Sequence, residues 1–261
     1  MCSLIVLHGC VPGAPLIVAA NRDEFLERPS EGPALRSTSR GRIVAPRDVR
    51  AGGTWIGVND VGLFAAVTNR RCEEPDPSRR SRGLLVLDAL TSETAQRAAD
   101  WAEDLPHHAY NPFNLFVADR RSAHVVSYAD APERHDLGTG VHVVGNADPA
   151  EPTPKTEQLR ERSEACVKAA EPMAVLEGLA AVCRSHDGGG DAFRDACVHA
   201  GDYGTRSSVL LILADAADGD VLEFADGPPC ATEYEDFTPL LRRLDRGFQP
   251  DTGESVMRKV S

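Results

Sequence analysis

Cys2 stands directly behind Met1. An initiator methionine is readily removed when the next side chain is small, and cysteine is small enough. The processed chain would then carry a thiol and a free α-amine on one residue. An α-amine with an ordinary pKa of ~7.7–8.0 is partly unprotonated near neutrality, so it can take the thiol proton directly or through a water. Nucleophile and base are then the same residue. The plain alternative is a small apolar cysteine that packs in a core.

Other polar groups follow at positions that could serve such a nucleophile. Asn21-Arg22-Asp23-Glu24 ends an apolar run, Pro15–Ala20, whose hairpin partner, Ser3–His8, begins beside Cys2. In an antiparallel hairpin the exit of the second strand lies beside the entry of the first. Asp23 or its neighbours therefore come near the Cys2 amine, where a carboxylate would hold and orient an ammonium. Four polar residues after a strand can equally be a solvated turn. Asn69 and Asn146 each end a strand-like run, and a carboxamide there can donate to a developing oxyanion or make an ordinary Asx turn. Arg206, in Tyr203-Gly204-Thr205-Arg206-Ser207-Ser208, could lower a thiol pKa, hold a carboxylate, or only neutralise an acid. Asn21, Arg22, Trp55 and Arg70 are taken as substrate-binding candidates.

Metal-ligand spacing is weak. His107-His108 are adjacent and point apart. Cys197-x-His199 lacks a second pair at ligand spacing, and no C-x-x-C occurs, so no metal site is expected. No G-x-S-x-G supports a serine nucleophile. No G-x-x-x-x-G-K-[ST] occurs, and no G-x-G-x-x-G follows a strand.

The chain of 261 residues is 42% hydrophobic, enough for a full core. Its net charge is −12, and only Lys155, Lys168 and Lys259 are lysines, which argues against nucleic-acid or anionic-membrane binding. No apolar run approaches the ~20 residues of a membrane span. Pro12-Gly13 interrupts the first apolar run and no cationic segment precedes it, so a signal peptide is not expected. Seven cysteines in a chain too long to need disulfide staples suggest free thiols and a cytoplasmic location.

The elements that must position these groups read as strands, a helix pair, strands, a second helix pair and strands. The opening hairpin is followed by an irregular, Arg/Ser/Pro/Gly-rich excursion over residues 25–53 with one short strand near Arg42–Ala45. Thr54–Val58 and Leu63–Asn69 form a hairpin across Asn59-Asp60-Val61-Gly62. A charged loop at 70–82 precedes helices at Gly83–Leu90 and Glu93–Leu105, the second capped by Thr91 or Ser92. Strands at 114–118, 123–128 and 141–145 lead to helices at Lys155–Ala170 and Met173–Ser185. A hairpin of Ser207–Ala214 and Asp220–Phe224 follows, with a last strand within 230–237. A single domain over 1–246 with a polar tail at 247–261 is expected. Antiparallel hairpins interrupted by helix pairs predict an α+β layered fold, two stacked sheets with helices outside.

Taken together, several segments resemble the NRDE family, which includes the animal transport-and-Golgi-organisation proteins. They are Met1-Cys2, Asn21-Arg22-Asp23-Glu24, Gly52-Gly53-Thr54-Trp55-Ile56-Gly57, Thr68-Asn69-Arg70, Tyr110-Asn111-Pro112-Phe113-Asn114-Leu115 and Thr205-Arg206-Ser207-Ser208. That family in turn resembles the N-terminal-nucleophile hydrolases of the choloylglycine hydrolase and penicillin V acylase group. The resemblance implies a four-layer αββα sandwich. It implies Cys2 as nucleophile, Asp23 on the α-amine, Asn69 in an oxyanion hole, and Asn146 and Arg206 completing the site. The activity implied is hydrolysis of linear amides or thioesters of small acyl substrates, with no cofactor required. The family's association with haem movement and acyl-lipid handling implies, as the alternative, a non-catalytic carrier in which Cys2, His8 or Arg206 contacts haem iron or a carboxylate. The sequence does not indicate an oligomeric state.

Overall fold

The structure, a computed structural model, describes residues 2–244; the expected tail at 247–261 lies outside them. Fourteen strands and five α-helices are found among the described residues. β1 (Ser3–Val11) and β2 (Ala14–Phe25) form the opening hairpin. They join β10 (Gly140–Val144), β12 (Tyr203–Leu213), β13 (Val221–Ala225) and β14 (Glu235–Asp236) in one antiparallel sheet of order β10-β1-β2-β12-β13-β14. The short β11 (His199–Ala200) also pairs with β12. The second sheet is a meander of β3 (Ser30–Ser37), β4 (Arg42–Asp48), β5 (Ile56–Asn59), β6 (Phe64–Asn69), β7 (Phe113–Ala118), β8 (Ala123–Tyr128) and β9 (Pro132–Leu137).

Period-two alternation assigns each strand residue to a face. On β1, Leu4 and Val6 join Val18 of β2 and Phe64 and Phe116 of the other sheet in a core between the sheets. Their neighbours Ile5 and Leu7 face the other way, onto Leu159 of α3 (Pro154–Val167) and Leu176 and Leu179 of α4 (Pro172–Cys183). A third core lies outside the second sheet, where Ala65 and Leu115 meet Leu85 of α1 (Arg82–Ala89) and Ala98 of α2 (Ala95–Glu103). Three cores between four layers make an α+β sandwich, a helix pair on each outer face. α5 (Thr238–Leu244) closes one edge of the inter-sheet core through Leu241 and Leu244.

Several expectations are corrected. Residues 25–53 are no irregular excursion, because β3 and β4 form a hairpin there. β3 is an edge strand with a register shift between Glu31 and Ala34, which is how it accommodates Pro33. The opposite edge, β9, is as polar (Pro-Glu-Arg-His-Asp-Leu) and shows no apolar alternation, so its sequence does not announce a strand. α2 is capped by Thr94, whose hydroxyl accepts the Arg97 N–H, rather than by Thr91 or Ser92. Within 230–237 only Glu235 and Asp236 pair as a strand, and α5 was not expected. The largest change is in β2. It runs on through Asn21-Arg22-Asp23-Glu24, strand residues paired with β12, the first three buried and Glu24 half-buried, not a solvated turn.

Candidate active site

The β1–β2 register pairs Ser3 with Asn21, so Cys2 lies across from Arg22 and its thiol shares Arg22's face. Along β2 that face is the one turned to the second sheet, while Asn21 and Asp23 face the helix layer. The Arg22 guanidinium lies over the Trp55 ring, 4.2 Å from its centroid, and 3.2 Å from the Asp48 carboxylate. Asp48 also accepts from Arg28 at 2.7 Å and from the Ala51 N–H. These bonds hold its carboxyl below the ordinary range although its burial works the other way. Arg22 Nη1 is buried, has no hydrogen-bond partner, and belongs to a residue of the cavity wall.

On the other side of Cys2, its backbone nitrogen donates to Asn146 Oδ1 at 3.0 Å. Asn146 extends the line of β10, and the turn that carries it is pinned from the second sheet. Thr68 Oγ1 donates to Gly145 O at 2.6 Å, the fully buried Asn114 donates to Gly145 O at 3.1 Å and Ala147 O at 2.8 Å, and the Arg71 N–H donates to Asn146 O at 3.1 Å. Asn146 Nδ2 in turn donates to the backbone carbonyl of Asn69. The site thus sits where the ends of the two sheets are stitched together. Burial raises the Cys2 thiol pKa, partly offset by the chain-terminal charge and by Arg22, while the Asp23 carboxylate adds to the rise.

Asp23 is nearly sealed from solvent. Thr205 Oγ1 donates to its Oδ1 at 2.7 Å, and Lys155 Nζ, at the start of α3, stands 3.8 Å from Oδ2. Burial raises its pKa to about 6, opposed by Lys155, the chain-terminal charge and the Thr205 bond. The Asp23 backbone carbonyl, rather than its carboxylate, is what the Cys2 sulfur approaches, at 3.9 Å.

These groups border a cavity of about 460 Å³. Cys2, Arg22, Asp23, Trp55 and Asn69 all line it, with walls from the β2–β3 and β4–β5 connections (Arg28, Arg50) and from the loop before α1 (Asp76, Arg79). Other candidates are not brought there. Arg206 lies in the bulge between Thr205 and Ser207 and binds Asp226 at 2.7 Å, because the bulge turns it off the sheet register. Asn21 faces α4 and donates to Cys183 O and Ala196 O. Arg70 pairs with Asp148 at 2.9 Å, bracing the Asn146 turn. His8 is buried near the far end of β1, roughly 20 Å from Cys2 at strand rise, so the two cannot share one iron.

Lys155, Asp48, Thr205 and Asn114 are site residues that the sequence alone does not single out. Lys155 carried a faint signal as one of three lysines, and Asn114 and Thr205 lie inside two of the segments that carry the family resemblance. Nothing local marks Asp48.

The family profile described as Transport and Golgi organisation 2 matches residues 1–225. The chain belongs to that family. The human Transport and Golgi organization protein 2 homolog is 33% identical over 234 residues, covering 79% of this chain and 84% of its own. The mouse homolog is 35% identical over 140 residues, and that match spans half of each chain: 51% of this one and 50% of the mouse protein. Among solved structures, the Caenorhabditis elegans ortholog of N-acylethanolamine-hydrolyzing acid amidase superposes with a TM-score of 0.54 at 15% identity, covering 84% of this chain and 96% of that one. A mutant of the conjugated bile acid hydrolase of Clostridium perfringens, its second residue changed from cysteine to alanine, gives 0.54 at 10% identity, covering 94% of each chain. At such identities the likeness is one of fold. No helix among the described residues is long and apolar enough to cross a membrane.

Proposed function

We propose that this family member is an N-terminal-nucleophile hydrolase, in which Cys2, freed of Met1, cleaves a linear amide or thioester of an acyl substrate. The observation that carries the reading is the placement of Cys2. Cys2 lines the cavity and its nitrogen is held by Asn146 at 3.0 Å, at the seam of the two sheets. The fold shared with an acid amidase ortholog and with a conjugated bile acid hydrolase, the latter a cysteine-to-alanine mutant at its second residue, supports it.

The α-amine takes the thiol proton, and sulfur attacks the acyl carbonyl carbon. The oxyanion is held by donors on the wall, with Asn69 and the unpartnered Arg22 Nη1 as candidates. The amine passes its proton to the leaving nitrogen, the C–N bond breaks, and a thioester on Cys2 remains. Water, deprotonated by the same amine, attacks that thioester and releases the acid and the thiol. Asn146 fixes the amine, and buried Asp23 supplies negative potential to its ammonium form.

The wall also indicates which acyl compounds suit the site. In a chain of net charge −12, arginines 22, 28, 50, 79, 80 and 82 outnumber the carboxylates that line it. A cationic cleft in an acidic protein concentrates anionic ligands. Trp55 is the one aromatic ring of the lining among the described residues, so a polar-headed acyl substrate suits the cavity better than a haem face.

The test pairs intact mass of the natively produced protein with a panel of N-acyl amides and acyl thioesters. Loss of Met1, turnover of an anionic member, and a Cys2 acyl adduct absent from Cys2→Ala are expected. Retention of Met1 excludes the mechanism, because no free amine would exist.

A further inference from the structure

Away from the cavity, four side chains from three loops converge. His186 follows α4, Cys197 and His199 bracket Val198 at the start of β11, and Cys230 lies between β13 and β14. One ligand-capable atom from each lies within 4.8 Å of the others. Cys197 Sγ is 3.5 Å from Cys230 Sγ and 3.7 Å from His199 Nε2, and Cys230 Sγ is 3.2 Å from His199 Nε2. A tetrahedral zinc with Zn–S of ~2.3 Å and Zn–N of ~2.0–2.1 Å spaces its ligand atoms roughly 3.3–3.8 Å apart. The observed separations fall in or at the edge of that range. Behind His186, Asp195 Oδ2 stands 3.9 Å from Nδ1, and its Oδ1 accepts the Gly188 N–H at 2.7 Å. A fixed carboxylate behind a ligand histidine is how metal sites commonly orient the ring.

We propose that His186, Cys197, His199 and Cys230 form a tetrahedral zinc site. On binding, each thiol releases a proton to solvent, the two thiolates offset the charge of the ion, and the imidazoles bind neutral. All four positions are filled by protein, so the site is structural and leaves no place for a substrate. His186, His199 and Cys230 are exposed, which lets the ion enter without unfolding. Chain spacing could not show this, since His186 and Cys230 arrive from loops remote from Cys197-x-His199.

The site is wired to Asp23. The N–H of Val198, between two of the ligands, donates to Thr205 Oγ1 at 2.8 Å, and Thr205 Oγ1 donates to Asp23 Oδ1 at 2.7 Å. Arg184, which ends α4, donates to Pro229 O at 3.1 Å and ties the Cys230 loop to the same corner. Zinc would therefore fix the segment that supports the buried carboxylate.

The experiment uses the full chain, purified reduced, loaded separately with zinc and with cobalt(II), and desalted. Expected are a single zinc per chain, and for cobalt the intense d–d bands and thiolate charge-transfer absorption of a tetrahedral sulfur–nitrogen site. Cys230→Ser and His199→Ala, both at exposed positions, should weaken metal binding roughly tenfold or more, whereas Cys72→Ser, an exposed thiol outside the cluster, should not. Chelation should lower the thermal midpoint of the wild type and leave that of Cys230→Ser unchanged. Wild-type protein that retains neither metal, octahedral cobalt spectra, or equal affinity in Cys230→Ser overturns the proposal. So does a Cys197–Cys230 disulfide, formed with dioxygen as the two-electron oxidant, in preference to metal binding when reduced protein is given zinc in air.

Discussion

The Cys2 nitrogen donates to Asn146 Oδ1 at 3.0 Å, across a turn stitched to the second sheet by Thr68, Asn114 and Arg71. If the residue acts as both nucleophile and base, this bond sets where the amine lone pair points. Replacing Asn146 by Ala removes a partly buried acceptor, worth ~1–2 kcal/mol, and should slow Cys2 acylation about tenfold with little change in folding. Asn146→Asp puts a negative charge beside the thiol as well as the amine, and a like charge raises a thiol pKa. The midpoint of Cys2 alkylation against pH should rise by about a unit in Asn146→Asp and stay near wild type in Asn146→Ala. Equal midpoints in all three would remove Asn146 from the site.

Asp23 makes a pH-dependent contribution whose sign differs from that of most carboxylates. Burial raises its folded-state pKa from 3.8 to about 6. Between these values the folded protein binds more protons than the unfolded chain, so stability falls as pH rises through that window. The cost is absent below the unfolded pKa and complete above about 6, where it amounts to roughly 3 kcal/mol. Asp23→Asn keeps an acceptor for Thr205 and removes the charge. Urea unfolding from pH 4 to 7.5 should find the variant close to wild type at the acid end and more stable by about 2–3 kcal/mol at neutrality. Lys155→Met should move the wild-type transition to higher pH, because the cation nearest Asp23 Oδ2 is gone.

What the sequence disclosed depended on whether an interaction was local. Ser3–His8 against Pro15–Ala20 is a hairpin whose register follows from its short turn, and the nearness of Cys2 to Arg22 and Asp23 follows from that register. The helix pairs were legible because Leu176 and Leu179 repeat at helical spacing. β3 and β9 were not, because as edge strands of the second sheet they bury little and are written in charged residues and proline. The site shows the same divide. Arg206 sits in a motif with the right chemistry, yet a single bulged residue redirects it to Asp226. Lys155 reaches Asp23 across the packing of α3 on the first sheet, and His186 reaches Cys230 through two loops; no spacing along the chain encodes either encounter.

Gly53 is required for a close approach of two backbones at the cavity wall. A Cβ there would lie 2.3 Å from the Gly83 carbonyl carbon, and the Gly83 oxygen accepts the Thr54 N–H at 3.1 Å. Gly53→Ala must push the start of α1 off the β4–β5 connection, and a cost of about 3 kcal/mol is expected, as for other overpacked contacts. Its neighbour supplies the control. Gly52 has φ +73° but open space around its missing Cβ, so Gly52→Ala should cost only the left-handed conformation, about 1–2 kcal/mol. Chemical denaturation of the two variants should separate them in that order, and a reversal would mean that the Gly53–Gly83 contact is looser than its geometry.

Arg22 tests whether charge or packing tunes the Cys2 thiol. Its guanidinium stacks on Trp55 at 4.2 Å and pairs with Asp48 at 3.2 Å, and its positive charge lowers the thiol pKa against the rise caused by burial. Arg22→Gln removes the charge but retains a planar donor that can still rest on the indole. Arg22→Lys retains the charge and loses the planar stack. If charge governs, alkylation of Cys2 at pH 8 should slow about three- to tenfold in Arg22→Gln and remain within about twofold of wild type in Arg22→Lys. If packing governs, the order is inverted, since a lysine ammonium cannot cover the indole that backs Cys2 and the glutamine carboxamide can. Asp48 keeps Arg28 as a partner in both variants, so neither leaves that carboxylate uncompensated, and the difference between them reports on the thiol.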